Sequence, residues 1–366
     1  MYFPDDLLDF IRAHRDELTL SVYVEAAPAD PAARRNWRVR LRQGLADIRD
    51  SLANAPADEQ DAFERCAADV LARLPNGDTP PSTHGWACFA TAGGDALALH
   101  LPESAETTVT WGLGVRVVPY LKVATADHAL VVRIDKQHAR LARWHDGTLE
   151  PIAELEAEAP RDIGPHMGDA PRQGFHEGTR GPTGTDEEQR QRLSASERLL
   201  AAARNRVVHL RAHNEPVLIG GADEAMRQLA AVLPHHLAGQ MRLVPELDMR
   251  LADGPAAPVI RQALTELDAV RRAQRVTELR ELAHVRGRAA MGYEPARAAA
   301  DVGAIAELIF SEQAWRQHPE QIEDLVQRAL IEGASVAVAP PLPDAPLDGE
   351  ADGILAGLRF PLPVPR

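Results

Sequence analysis

Lysine is almost missing from this chain. Lys122 and Lys136 are its only two, although lysine and arginine together number 40. Arginine therefore supplies nearly all of the positive charge, a bias that genome composition explains. Cysteine is equally scarce. Cys66 and Cys88 stand alone with no CxxC spacing, which excludes a disulfide framework and a zinc ribbon on counting alone. Cys66 falls in a helical pattern and Cys88 in a strand pattern, so both are expected as core thiols. No apolar run approaches the ~20 residues of a membrane span. There is no GxxxxGK[ST], no GxSxG and no HExxH, so the common phosphate-loop, hydrolase and zinc-protease signatures are absent. The formal net charge of −14 argues against non-specific DNA binding, which needs a basic footprint. Structured RNA met through a local basic face remains open.

What is present is a globular composition, 45% hydrophobic and 26% charged over 366 residues. That length holds two or three domains at roughly 100–200 residues each. The opening MYFPDDLLDFIRAHRDE carries acidic residues where a signal peptide carries basic ones, so a cytoplasmic location is expected.

The periodicities divide the chain into three α/β domains, at 1–120, 121–257 and 258–366. In the first, Leu18 to Val24 reads as a strand and Pro31 to Leu52 as a long helix. Trp37, Leu41, Leu45, Ile48 and Leu52 make the buried face of that helix. Arg34, Arg38, Arg42 and Arg49 flank it as a stripe that reads either as phosphate contact or as a solvated face. A second helix covers Asp58 to Leu74. Gly93-Gly94-Asp95 marks a hairpin between Trp86–Thr91 and Ala96–Leu101.

In the second domain, strands at Ala129–Ile134, Ala139–Trp144 and from Leu149 form a meander. Then comes PRDIGPHMGDAPRQGFHEGTRGPTGT, residues 160–185, rich in glycine and proline. So long a run without periodicity inside a compact domain is uncommon and is usually functional or disordered. Thr185 and Glu188 have capping-box spacing for the next helix. PVLIG, 216–220, reads as a buried parallel strand, followed by a helix at Ala222–Val232. Gly220-Gly221 at that junction reads as a phosphate cradle or as a structural turn. The acidic Asp223 and Glu224 favour the second reading. His166, His176 and Asp169 match no metal template, and no cofactor or metal is expected.

The third domain opens with a charged helix from Val259 to about Arg286. It carries Arg271, Arg272 and Arg275 among acidic residues, which reads as a salt-bridged helix or an RNA-facing edge. Helices at Glu294–Val302 and Pro319–Glu332 end at Gly303 and Gly333. Apolar strands at Ala304–Phe310, Ala334–Ala339 and Ile354–Phe360 alternate with them, as in a small α/β/α sandwich. Pro340–Asp352 reads as a proline-rich acidic loop.

The order of these pieces resembles a known family. The meander ALVVRIDKQHARLARWHDG, the glycine-rich run, the long helix and PVLIGGADE resemble the central domain of archaeal and eukaryotic class I release factors and Pelota. AADVGAIAELIF, ALIEGASVAVA and DGILAGLRFPLP resemble their last domain. More closely, the chain resembles the bacterial branch of that superfamily, the bacterial archaeo-eukaryotic release factor-like proteins, with coverage over about residues 120–366. The first domain does not look like the codon-reading domain.

The resemblance implies a ribosome-associated factor of rescue, hibernation or termination type. Its partners would be the ribosome with rRNA or tRNA, and a translational GTPase. The functional loop would comprise Gly164, Gly168, Arg172, Gly174, His176, Gly178, Arg180 and Gly181. Arg34, Arg38, Arg42, Arg271, Arg272 and Arg275 are the RNA-binding candidates. Release factors carry Gly-Gly-Gln at the loop tip, where the glycines admit the backbone and the tip positions water against the ester. Here the nearest counterpart is Arg172-Gln173-Gly174, with the glutamine before the glycine. Gln173 is thus the catalytic candidate for a peptidyl-tRNA ester hydrolase, and otherwise a polar loop residue. The alternative in a different class is a non-ribosomal protein-interaction module on the same fold, which the acidic net charge favours.

Overall fold

The computed structural model describes residues 4–26, 36–74, 85–124, 128–145, 147–157, 184–212, 215–340 and 347–362. Its contacts divide the chain into two units: Met1–Ala126 with Asp268–Arg366, and Asp127–Leu267. The mixed α/β class expected from the sequence is found in both.

The first unit opens with α1 (Asp5–Ala13), whose Asp5 and Asp6 lie in the first turn, where carboxylates oppose the helix dipole favourably. There follow β1 (Leu18–Val24), α2 (Asn36–Ser51), α3 (Ala57–Arg73), β2 (Trp86–Thr91), β3 (Ala96–His100), β4 (Thr108–Leu113) and the short α4 (Val118–Val123). The strands form an antiparallel sheet in the order β3-β2-β1-β4. The β2–β3 hairpin turns at Gly94, φ +102°, as its Gly-Gly-Asp motif implied. Helices α2 and α3 cover one face, packing Trp37, Leu41, Phe63 and Val70 on Leu20 and Val22. Cys66 and Cys88 lie in this core. Burial pushes their thiols up to about 11 and about 12, which removes the reactive thiolate at neutral pH. Strand β4, unforeseen in the sequence, borders this sheet beside β1.

The second unit contains β5 (His128–Ile134), β6 (His138–His145), β7 (Thr148–Glu156), α5 (Gly184–Leu210), β8 (Val217–Gly221), α6 (Asp223–Val232), β9 (Met241–Leu243) and the start of α7 (Asp253–Arg286). The sheet order is β7-β6-β5-β8-β9. β5 to β7 form the expected antiparallel meander, and β8 runs parallel to both β5 and β9. One face packs on α5 and α6 through Leu130, Val132, Leu199, Ala203 and Leu229. The other packs on α7 through Val131, Leu218, Ile260 and Leu264. α7 begins earlier than its sequence reading, with Pro258 inside it.

Back in the first unit, α7 leads to β10 (Ala289–Met291), α8 (Tyr293–Asp301), β11 (Ile305–Phe310), α9 (Glu312–Gln317), α10 (Pro319–Ile331), β12 (Ser335–Val338), α11 (Leu347–Ala351) and β13 (Ile354–Leu358). The sheet order is β10-β13-β11-β12. Gly303 and Gly333 take φ +66° and +75°, the left-handed endings expected after α8 and α10. The segment read as a loop at 340–352 contains α11 instead. Ser311 caps α9 by accepting a 2.9 Å hydrogen bond from Ala314 N–H. Leu308 and Val336 face Ala296, Ile322 and Val326 on one side, and Ile309 and Leu355 face Val276 and Leu279 on the other.

The segments 1–120 and 258–366, read separately in the sequence, share a core. One apolar cluster runs from Leu7, Tyr23, Phe89 and Val118 to Leu308, Phe310, Ile322 and Val326. Beside it, α10 grips the strip after β4. Glu323 accepts hydrogen bonds from Val117 N–H (2.9 Å) and Val118 N–H (3.2 Å). Gln327 donates to Val115 O at 3.0 Å, and the Tyr23 hydroxyl donates to Arg116 O at 2.5 Å. Arg116 itself pairs with Glu320.

Burial raises the Glu323 carboxyl from 4.5 to about 7, against the opposing pull of Val117 N–H and Arg116. An acid whose pKa is higher in the folded chain contributes its full stability below the unfolded value, near 4.5. That contribution is lost as pH climbs through 7. Wild type should therefore lose stability relative to Glu323→Gln between pH 4.5 and 7, by on the order of 3 kcal/mol. Urea midpoints of the two proteins at pH 5 and pH 8 measure it. An unchanged difference between them would remove this carboxyl from the pH dependence.

Candidate functional site

The glycine-rich run leaves from one end of the central sheet, and the described residues define that end. At the β5–β6 turn, Asp135 accepts hydrogen bonds from Gln137 N–H and His138 N–H, both 2.7 Å. This side-chain turn fixes the hairpin. β7 finishes beside it, with Glu156 opposite His138 and Ala157 N–H on Gln137 O at 2.7 Å. β8 ends at the same level, Gly221 opposite Ile134.

Gly220 and Gly221 are set by close approach. A Cβ on Gly220 would lie 2.2 Å from Leu247 O, and one on Gly221 1.9 Å from Ile134 O, where φ is also +117°. Asp223 and Glu224 occupy the first turn of α6, and Lys136 reaches Glu224 at 3.2 Å. The pair of glycines is thus a packing device under an acidic helix start. That geometry supports the structural turn over the phosphate cradle.

Near this end, a groove of about 690 Å³ opens between the sheet and residues 249–253. Its floor is apolar, from Val131, Ala142, Leu149 and Pro151. Arg133, almost fully buried, donates to Leu251 O at 2.7 Å and lies 3.3 Å from Asp253. Arg140 holds Glu154 at 2.7 Å. Both guanidinium groups are engaged within the fold.

Gln173 and the loop candidates Gly164, Gly168, Arg172, Gly174, His176, Gly178, Arg180 and Gly181 lie outside the described residues, as do Arg34, His166, His176 and Asp169. The Thr185/Glu188 capping box lies among residues whose side chains are likewise outside the description. Arg38 and Arg42 are on α2. Arg38 is half-buried, its guanidinium 5.0 Å from the Trp37 ring, and Arg42 is exposed. Their neighbours Arg40 and Arg49 pair with Glu25 and Glu64 at 2.7 and 2.5 Å.

Arg271, Arg272 and Arg275 are on the part of α7 in the first unit. Arg272 pairs with Asp268 and donates to Val338 O at 3.1 Å. Arg275 donates to Glu307 (2.6 Å) and Glu278 (2.8 Å). Among the described residues no group of three or more His, Cys, Asp or Glu could hold a metal, and no helix is long and apolar enough to cross a membrane.

In the central unit the glycine-rich run joins β7 to α5 in a sheet ordered β7-β6-β5-β8-β9, the order of pieces on which the sequence resemblance to release factors rests. Comparison with known proteins agrees. Residues 116–267 match the family described as Bacterial archaeo-eukaryotic release factor family 10. Over 273 residues the chain is 25% identical to the Pelota homologue of Cenarchaeum symbiosum, covering 72% of this chain and 71% of that one.

Two solved structures are also similar. Archaeoglobus fulgidus Pelota is 13% identical, with a TM-score of 0.40 and 76% and 80% of the two chains covered. Saccharomyces cerevisiae Dom34, described as a translation termination-like factor interacting with Hbs1, is 12% identical, with a TM-score of 0.41 and 77% and 82% covered. The resemblance read from the sequence motifs thus meets a family match over residues 116–267 and a Pelota relative over 273 residues.

Proposed function

We propose that this protein is a ribosome-associated translation factor that presents residues 160–185 toward the peptidyl-transferase centre. The observation that carries this reading is positional. The glycine-rich run joins β7 to α5 inside the stretch that matches the release-factor-like family, at the place where release factors bear their catalytic tip. Glycine suits that task because it lets backbone approach RNA closely.

The tip has Arg172-Gln173-Gly174 where release factors have Gly-Gly-Gln, which favours occupancy of the site over hydrolysis. Arg34, Arg38, Arg42, Arg271, Arg272 and Arg275 are the RNA contacts proposed from sequence, and a translational GTPase is a second partner to seek. Cosedimentation with 70S ribosomes at low salt, with and without stress, is the test. Absence from the ribosomal pellet in every condition would sink the reading.

A hydrolase remains the second reading, because Gln173 adjoins a glycine within the run. It predicts that Gln173→Ala loses most of any peptidyl-tRNA release. Equal release by both proteins would remove Gln173 from the chemistry. A pull-down enriched in non-ribosomal proteins after nuclease treatment would favour an interaction module instead.

A further inference from the structure

A second cavity lies in the first unit, past the carboxyl ends of β10 and β11, and the ribosomal reading leaves it without a role. β10 and β11 each run antiparallel to β13, which stands between them, so the two strands point the same way. α8 and α9 begin where they end. Ligands of open α/β sheets bind in crevices outside such carboxyl ends.

The crevice measures about 220 Å³. Ala314, Ile322 and Ile354, all buried, give it an apolar floor. Gln313 and Gln317 on α9 and Gln321 on α10 bring three carboxamides to it. Tyr293, the first residue of α8, brings an aromatic ring. Asp348 on α11 and Asp352 just after it bring two carboxylates.

These polar groups are placed differently from the arginines of the central groove, which the fold itself engages. Asp348 accepts a hydrogen bond from the Ser311 hydroxyl. The three carboxamides, the Tyr293 hydroxyl and the Asp352 carboxylate have no hydrogen-bond or ion-pair partner among the described residues. Several unengaged donors and acceptors over an apolar floor are the usual make-up of a small-molecule site.

We infer that this crevice binds a purine nucleoside of the adenosine type. Glutamine pairs with the N6 and N7 edge of adenine, aromatic side chains take the faces of bases, and carboxylates accept ribose hydroxyls. The apolar floor favours a flat base over a free sugar. Apart from the His318 imidazole no base lines the crevice, so a phosphate would face two carboxylates with no permanent cation. The volume lies below the roughly 300–1,000 Å³ of most ligand pockets, which leaves no room for a dinucleotide. The site is independent of ribosome binding.

The test is isothermal titration calorimetry on the full chain, with adenosine, inosine, AMP and ribose as probes. Wild type should bind adenosine, bind inosine and AMP more weakly, and give no signal with ribose. Asp352 has φ +48°, a left-handed backbone that asparagine also tolerates. Asp352→Asn should therefore keep the fold and weaken adenosine about fivefold, the worth of one hydrogen bond. Gln317→Ala/Gln321→Ala, at two exposed positions, should erase the preference for adenosine over inosine. Circular dichroism checks the fold of each variant. No wild-type binding at millimolar adenosine overturns the site. Binding that both variants leave unchanged also overturns it, because the nucleoside then sits elsewhere on the chain. AMP binding more tightly than adenosine overturns the exclusion of phosphate, and ribose binding as tightly as adenosine overturns recognition of the base. None of these outcomes alters the ribosome cosedimentation result, which tests the other reading separately.

Discussion

Gly221→Ala should abolish the stable fold of the central unit. The new Cβ would sit 1.9 Å from Ile134 O, on a backbone with φ +117°. Neither side of that clash can yield cheaply. Ile134 O also accepts the Ala222 N–H hydrogen bond at 2.9 Å, and β5 lies between β6 and β8. Real proteins do not hold a Cβ so close to backbone oxygen, so β8 must separate from β5. The loss should exceed about 4 kcal/mol, the range reserved for disrupted cores and strained backbone.

Gly220→Ala, meeting Leu247 O at 2.2 Å, should follow it. Gly254→Ala is the control. Nothing lies within 4 Å of its added Cβ, it is on α7, and alanine favours helix over glycine by about 1 kcal/mol. Hydrogen exchange at the β5 and β8 amides separates the outcomes. Protection in Gly221→Ala equal to that in Gly254→Ala would contradict the packing argument.

The second large effect concerns the first unit. A fragment of residues 1–126 should not fold on its own. Removing 268–366 strips Tyr23, Phe89, Val118 and Leu121 of their partners Phe310, Ile322 and Val326. It also removes Glu323 and Gln327, the α10 side chains that hydrogen-bond the buried strip at 115–118. Each fully buried large apolar side chain contributes about 1.5–3 kcal/mol, and a domain's whole stability is only about 5–15 kcal/mol. The loss of several such contacts is therefore decisive. Thermal unfolding of the fragment should show no cooperative transition. A sharp transition near that of the intact protein would mean that the shared core is dispensable.

Local chemistry explains what the sequence made legible. Gly93-Gly94-Asp95, Gly303 and Gly333 each announced a positive-φ turn, and each takes one. PVLIG was read as a parallel strand because it is uniformly apolar, and β8 is paired in parallel on both sides. Other elements gave no such signal. β4 lies at a sheet edge with every residue partly or fully exposed, so TVTWGL lacks the alternation of a half-buried strand. β9 and β10 are three residues each, too short for any period. α11 hides within a stretch whose prolines and acidic residues resemble a loop.

The site was legible in part. Glycine and proline content located the run between β7 and α5 without any contact information. The state of each arginine was not readable, because partners are set by tertiary structure. Arg275 meets Glu307 across 32 positions, and Arg204 meets Val232 O across 28. Sequence alone therefore could not tell that Arg40, Arg49, Arg272 and Arg275 are each held by a carboxylate. The shared core of the first unit escaped for the same reason, since no local motif encodes the meeting of segments so far apart in the chain.

The central claim is that the release-factor-like body binds the ribosome and carries residues 160–185 to the peptidyl-transferase centre. Chemical footprinting of rRNA on 70S ribosomes, with wild type and a 164–184 deletion, tests it most directly. The account predicts that wild type protects nucleotides of the peptidyl-transferase centre. The deletion should lose that protection while keeping the remaining contacts of the body. Protection elsewhere on the ribosome but none at the peptidyl-transferase centre with wild type, or identical footprints from the two proteins, would contradict it.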